Sequence, residues 1–424
     1  MSDSPVCRYL KYAILVYSKQ NCFPLQIFAV RQPDWRCRID EGVAGLVHCA
    51  WTPDSRHLVT FSDFQVHLTL WSLTTQDTVV VQKPKSPPRA VAFCASFMAV
   101  ATRKDCKDFI TVFDCDGWEK ISSFPVKSFD LSTILWNEDG SAIVVLDTCL
   151  QYYLAVYSPT GELLHEYKAY EHALGIRTAA WSQSGAFLAV ASFDQSVRLF
   201  NSLTWEVVNE FPHTHPKSLA QTVKCIGLLL ATEKCTGLRQ SIFVAANRED
   251  DFSLPAKSLS ADDSSVVPKV GVSVLRWSFD GRYLATKNEN APRVLWIWDV
   301  SEGGVVAIFV VTHPIRCVLW SPCEYLCCFA TGGDQLYAWT PGRLPFAAAI
   351  DEVKQIMTIQ WTRNGASLLL CSCKVSSTIH VGDLFGQSEP NLDTAGAATV
   401  SVAATIALPA GTTEVASAKP PLPP

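Results

Sequence analysis

The chain has 424 residues and a formal net charge of -5, with 48% hydrophobic and 18% charged residues. That much apolar surface excludes disorder throughout, and the slight acidity argues against a nucleic-acid binder working through bulk charge. No apolar run reaches the ~18 residues of a membrane span, and the run at 12–17, with Lys11 before it, is too short for a signal peptide.

In chain order, the segments 12–17, 25–30 and 35–39 read as the second, third and fourth strands of a unit. Its first strand has no candidate among residues 1–8. A pattern then recurs: an apolar strand ending in Trp, a polar turn and a second apolar strand. It reads WTPDSRHLVT from Trp51, FCASFMAVA (a weaker copy) from Phe93, WNEDGSAIVVL from Trp136 and WSQSGAFLAVAS from Trp181. It continues as WSFDGRYLAT from Trp277, WSPCEYLCCFA from Trp320 and WTRNGASLLLC from Trp361. Copies lie 41–45 residues apart, except for one interval of 96. The turns carry Asp139-Gly140, Ser184-Gly185, Asp280-Gly281 and Asn364-Gly365, residues that reverse a chain between strands.

Each copy is followed by a third strand with an aromatic near its end, such as HLTLWSL (67–73), VLWIWDV (294–300) and, last, IHVGD (379–383). A four-stranded unit of ~40–45 residues with a terminal Trp-Asp is the WD40 signature. Only Trp298-Asp299 matches that dipeptide literally, and no clean Gly-His precedes a first strand. The fold class read from this is all-β: a WD40 β-propeller over residues 1–385, with seven recognisable four-stranded units and a partial N-terminal one.

Segment 214–268 lacks the motif and reads as an excursion from one blade, or as one unrecognised blade with 241–246 as a strand. Residues 386–424 form an Ala-, Thr- and Pro-rich tail with the composition of disorder. Within it TVSVAATIAL (399–408) alternates enough to form a strand that would help close the array. The sixteen cysteines fall mostly in apolar runs, as at Cys94, Cys327 and Cys328, which points to free thiols.

Catalytic motifs are missing: there is no GxGxxG, Walker loop, GxSxG elbow or HExxH, and no CxxC. His213-Thr214-His215 has the i, i+2 spacing of a ligand pair on an extended segment, but no third ligand is identifiable, so an exposed loop is the simpler reading. The expectation is a non-enzyme without cofactor or metal. Asp194, in SFDQSVRLF, reads as a residue that stiffens a turn. The short basic run KPKSPPR (83–89) reads as a Pro-rich hairpin loop able to touch an acidic partner or RNA phosphates, and RKDCKD (103–108), which mixes signs, as a solvated loop.

In WD40 blades one face is built by the loops before the first strand and between the second and third. Here these include KAYEHALG (168–175), 103–108, 147–151, 192–195 and KNENAPR (287–293). They mix aromatic, amide and charged groups, which suits a protein interface. Candidate partner-binding residues on them are Tyr152, Tyr170, Glu171, Asn288 and Arg293, with Tyr170 equally suited to a core.

Several strings resemble the WD-repeat protein eight family, whose gene lies antisense to the tumour-protein-seventy-three gene. They are QPDWRCRIDEGVAGLV (32–47), RKDCKDFITVF (103–113) and, most densely, 146–208; the likeness resumes at 268–300 and in TGGDQLYAW (331–339). The family has a further complete unit before the one near Tyr9, so this chain looks short at its start. The resemblance implies a non-enzymatic scaffold of the cytoplasm and cytoskeleton at the centrosome or spindle pole. It would anchor microtubule minus ends, help assemble the spindle and support cilium formation. The implied partners are a coiled-coil centrosomal protein of the synovial-sarcoma-breakpoint-interacting type and, in fungi, a minus-end-directed kinesin. The alternative is a propeller associated with RNA or ribosomes, against which the near-neutral charge counts.

Overall fold

The residue after four of the recurring tryptophans explains why the chain turns there. The N–H of His57 donates to Thr52 Oγ1 (3.2 Å), whose hydroxyl donates to the His57 carbonyl (2.9 Å). Ser182, Ser278 and Thr362 take the same place and accept from the N–H of Phe187 (3.0 Å), Tyr283 (2.9 Å) and Ser367 (3.0 Å). One hydroxyl thus ties both arms of the turn with local hydrogen bonds. The glycine three residues further on closes the turn in the left-handed region, at φ +69° in Gly185 and +78° in Gly281.

The computed structural model describes residues 13–16, 25–29, 36–42, 45–54, 56–75, 77–85, 89–94, 96–214, 224–237, 240–245, 268–350, 353–372, 375–381, 398–400 and 404–407. Each unit is an antiparallel meander, or blade. Blade one has three strands, Ala13–Val16, Leu25–Ala29 and Arg36–Ile39. Blade two runs from Leu46–Trp51 to Thr78–Gln82, and blade three from Val91–Phe93 to Lys120–Pro125. Blade four runs from Leu131–Trp136 to Leu163–Tyr167, and blade five from Ile176–Trp181 to Val207–Pro212. Blade six spans Val272–Trp277 to Gly304–Val310, and blade seven Cys317–Trp320 to Phe346–Ile350. Blade eight holds Thr358–Trp361, Ser367–Cys371 and Val375–His380. Its third strand ends where IHVGD was expected to begin. The fold is the all-β WD40 β-propeller read from the repeat, with a partial first unit and seven four-stranded ones. The helical element among the described residues is one 3-10 turn, Asp63–Gln65.

The strands divide into two compact units: Met1–Thr232 with Ala245–Val311, and Glu233–Val244 with Thr312–Pro424. In the first, apolar cores lie between successive blades. Leu25, Ile27 and Ile39 pack on Cys49, Trp51 and Leu58. Further along, Leu146, Tyr152 and Leu154 of blade four meet Leu188, Val190 and Phe200 of blade five. Alternation therefore buries both faces of each sheet, as blades that stack on neighbours require. In the second unit, Cys328, Leu336 and Ala348 pack against Ile359, Leu368 and Ile379. The twelve cysteines described with side chains are free thiols, and burial pushes Cys49 up to about 12.

The segment without the motif adds strands to an existing sheet. Within the first unit Lys224–Thr232 runs parallel to Gly304–Val310, the outer strand of blade six. The strand continues to Gly237, and Gln240–Ala245 lies beside it. In the second unit the buried Glu233 accepts from the N–H of Thr312 (2.7 Å), its hydroxyl (2.9 Å) and the phenol of Tyr337 (2.9 Å). Glu233→Ala should lower stability by about 1–3 kcal/mol, since three donors lose their acceptor; denaturant titration of both proteins measures it.

The tail motif also forms strands, in the second unit. Ala398–Val400 pairs parallel with Phe346–Ile350, and Ala404–Ala407 pairs antiparallel with Val375–His380, completing blade eight. Residues 382–397 and 408–424 lie outside the described residues, as do 246–267 and His215.

Candidate functional site

In an antiparallel meander the link entering the first strand and the turn between the second and third strands lie at one end. Along that end of blades two, three and six, a polar group from the entering link reaches into the blade it precedes. In blade two Glu41 is the group: Thr60 donates to it, as does Trp71 Nε1 (3.2 Å), and His67 Nε2 lies at 3.0 Å. In blade three Lys85 donates to both oxygens of Asp108 (3.2 Å) and to Asp130. Arg103 joins them through Asp130 (2.7 Å), so the RKDCKD turn anchors an ion network rather than being merely solvated.

In blade six the group is His213. Its Nδ1–H donates to the Gln195 carbonyl (3.0 Å), and its Nε2 lies 2.6 Å from the hydroxyl of Thr286. That hydroxyl also accepts from Trp298 Nε1–H (2.9 Å). Both ring nitrogens are therefore spoken for, and burial pushes the imidazole down to about 4. His213 is a structural keystone, which corrects the reading of its loop as exposed. Among the described residues no group of three or more metal-ligating side chains assembles. Thr60–Trp71 and Thr286–Trp298 occupy matching places on second and third strands, a relation the degenerate motif concealed.

Further bonds join each entering link to the turn of its own blade, and one blade to the next. Thr148 N–H donates to the Asp130 carbonyl (2.9 Å), Gly175 N–H to Cys149 (2.9 Å) and Phe193 N–H to Gly175 (3.0 Å). Asn288 Nδ2 donates to Gln195 (3.0 Å), and Arg177 donates to the carbonyl of Val270. Asp147, which accepts from Phe129 N–H (2.9 Å), has its carboxyl pushed up by burial and by Asp108. The loop face is thus braced from behind by bonds that leave little freedom to its backbone.

The predicted partner residues divide by exposure. Tyr152 and Asn288 are each 2% exposed and present no side-chain surface to a partner. Tyr152 stacks edge-on against Tyr170 at 5.0 Å, and the Arg198 guanidinium lies over both rings. Arg198 is in turn held by Asp194 (2.8 Å) and Glu210 (2.9 Å). Burial weakens its charge, but Tyr152, Asp194 and Glu210 outweigh that and raise its pKa. Asp194 also accepts from Ser196 N–H (3.0 Å), the turn-stiffening role expected of it. Tyr170 is half-buried, donates to the Leu174 carbonyl (2.7 Å) and is pushed up to about 12 by burial. Glu171 and Arg293 are exposed. The first three therefore support the surface that the last two present.

Exposed apolar side chains escaped the sequence reading. Phe64 is 87% exposed, Phe129 69% and Leu150 66%, all on links or turns at this end. Elsewhere, a cavity of about 440 Å³ beside the outer strand of blade two is lined by Val80, Thr102, Lys104, Phe109 and Lys120. No described helix is long and apolar enough to cross a membrane.

Comparison with known proteins agrees with this architecture. The family model "WD domain, G-beta repeat" matches residues 161–201, the outer strand of blade four and the first three strands of blade five. The mouse WD repeat-containing protein WRAP73 is 32% identical over 385 residues, spanning 86% of this chain and 83% of its own. An uncharacterized WD repeat-containing protein of Schizosaccharomyces pombe is 25% identical over 73% of this chain and 62% of its own. Subunit I of eukaryotic translation initiation factor 3 from Emericella nidulans is 32% identical, over only 38% of this chain and 47% of its own. A chain in the crystal structure of the mitotic checkpoint complex superposes with a TM-score of 0.45 at 12% identity, over 75% of this chain and 83% of that one. With 32% identity to mouse WRAP73 over 86% of this sequence and 83% of that one, this chain belongs to the WRAP73 family of WD-repeat proteins.

Proposed function

We propose that the chain is a non-enzymatic scaffold of the centrosome or spindle pole, within the cytoplasm and cytoskeleton. It helps anchor microtubule minus ends, assemble the spindle and support cilium formation. Its partner is a coiled-coil centrosomal protein of the synovial-sarcoma-breakpoint-interacting type, with a minus-end-directed kinesin joining in some lineages. The observation that carries this reading is the match to WRAP73 along 86% of the chain, joined to a braced loop face rather than a cluster of reactive groups. A preorganised face loses little entropy on binding, which suits a scaffold.

On this reading the partner binds the loops of blades five and six, where Glu171 follows the stacked Tyr170 and Arg293 is exposed. Replacing Glu171 and Arg293 together by Ala should weaken capture of the coiled-coil partner about tenfold, about 1.4 kcal/mol. Pole localisation in dividing cells should fall with it, while the melting temperature stays at the wild-type value because neither side chain is buried. Unchanged affinity in the folded double variant would remove the partner from this part of the face. A proximity label fused to the chain that marks ribosomal rather than pole proteins would overturn the cellular assignment.

A further inference from the structure

The exposed apolar side chains belong to blades two and four, and backbone bonds connect the segments that carry them. The Phe64 turn of blade two is joined to the link that follows it, because Lys83 N–H donates to the Val66 carbonyl (3.1 Å). That link meets the next turn through Arg103 N–H and the Lys83 carbonyl (3.2 Å). Arg103 reaches Asp130, the neighbour of Phe129. Thr148 N–H, two residues before Leu150, donates to the Asp130 carbonyl. Phe64 on the turn of blade two, and Phe129 and Leu150 on the entering link and turn of blade four, therefore stand at the same end, connected through the turn of blade three.

Phe64 is held outward at some cost. It and Gln65 adopt φ of 56° and 55°, a left-handed conformation that bulky side chains seldom take. Exposing three large apolar groups in one tract is also unfavourable for an isolated protein, and such tracts mark interaction surfaces.

The charge around this tract opposes that of the whole chain. Asp108 and Asp130 are engaged by Lys85 and Arg103, and Asp147 by Phe129 N–H and Gln151. On the described residues of these loops the remaining exposed charges are Lys83, Arg89, Lys104, Lys107 and Lys127 against Asp40, Asp63 and Asp105. The tract is locally basic on a chain of net charge -5.

We propose that the loop face of blades two to four docks an acidic segment with apolar side chains, contributed by a partner protein. Phe64, Phe129 and Leu150 bury the apolar groups, and the surrounding lysines and Arg89 meet the carboxylates. A nucleic acid shares only the charge half of this chemistry, because Leu150 offers a phosphate backbone nothing. The proposal rests on the chain being an interaction scaffold, but not on the Glu171–Arg293 region.

The test uses the full chain and a fluorescent peptide of about 20 residues, ~30 Å long if helical. Leu or Phe recurs at every third or fourth position, with Glu between. A Glu→Gln version and a single-stranded RNA of similar length serve as competitors. The Glu peptide should bind, with affinity falling as salt rises. Phe129→Ser with Leu150→Ser should weaken it at least tenfold, and so should Lys104→Glu with Lys127→Glu. All four side chains are exposed, so melting temperatures should match wild type; Leu150→Ser alone serves if the pair lowers stability. The double Ala variant at Glu171 and Arg293 should bind the peptide as wild type does. No binding, equal binding of the Gln peptide, or full affinity in the variants would overturn the proposal. Binding of RNA in place of the peptide would overturn it in favour of a nucleic-acid surface. Loss in the Glu171–Arg293 variant alone would move the site to blades five and six while leaving the scaffold reading intact.

Discussion

Gly175→Ala is expected to destabilise the protein by about 3 kcal/mol or more, at the upper end of what overpacking costs. A Cβ on Gly175 would fall far inside 3.0 Å of the Gln151 carbonyl and the Tyr152 amide nitrogen. Both are backbone atoms, so no rotamer change relieves the overlap. The same residue donates to Cys149 and accepts from Phe193, so it sits where the turns of blades four and five are pinned together. A shift there would disturb Tyr152, and with it the stack under Tyr170 and Arg198. Denaturant midpoints compare the variant with wild type. Gly333→Ala is the control, because its Cβ would meet nothing within 4 Å. Equal midpoints for Gly175→Ala and wild type would show that the loops do not approach this closely.

Acid should weaken the fold through His213. Burial holds its imidazole at about 4 in the folded protein, against ~6.5 in an unfolded chain. Above pH ~6.5 the ring is neutral in both states and its contribution is complete. As pH falls further, the unfolded chain binds a proton that the folded one refuses. Stability is therefore lost down to about pH 4, where the folded ring protonates too. The gap corresponds to about 3 kcal/mol. His213→Gln should be less stable than wild type at neutral pH, because Thr286 and the Gln195 carbonyl lose a fitted partner. The difference between the two proteins should shrink by about 3 kcal/mol between pH ~6.5 and pH 4. A constant difference across that window would mean the ring is hydrated.

The blades were legible because their chemistry is local. Thr52, Ser182, Ser278 and Thr362 close their turns with residues five positions away, so the repeat carries its own folding instructions. The third strand of blade eight was misplaced by several residues because VSSTIHVGD offers His380 but no Trp, Tyr or Phe to mark its end. Tyr152 and Asn288 look like surface residues in a polar loop context, yet both are buried. Their loops fold back over neighbouring blades, which no pattern within a single unit announces.

The sequence by itself determined the four-stranded units, their number and order, and the family to which the chain belongs. Alternating apolar residues and turn chemistry act within about forty positions, and the period of the repeat makes them visible. Only the tertiary structure decided what the polar residues do. His213 meets Thr286 from 73 residues away, Glu41 meets Trp71 from 30, and Glu233 meets Tyr337 from 104. It also decided that Lys224–Thr232 extends blade six rather than building a blade, and that Ala404–Ala407 completes blade eight. A buried polar group or an open sheet edge is stabilised by whatever partner the folded chain brings within hydrogen-bonding reach. That partner is specified by the packing of whole blades, and not by the residues beside it in the chain.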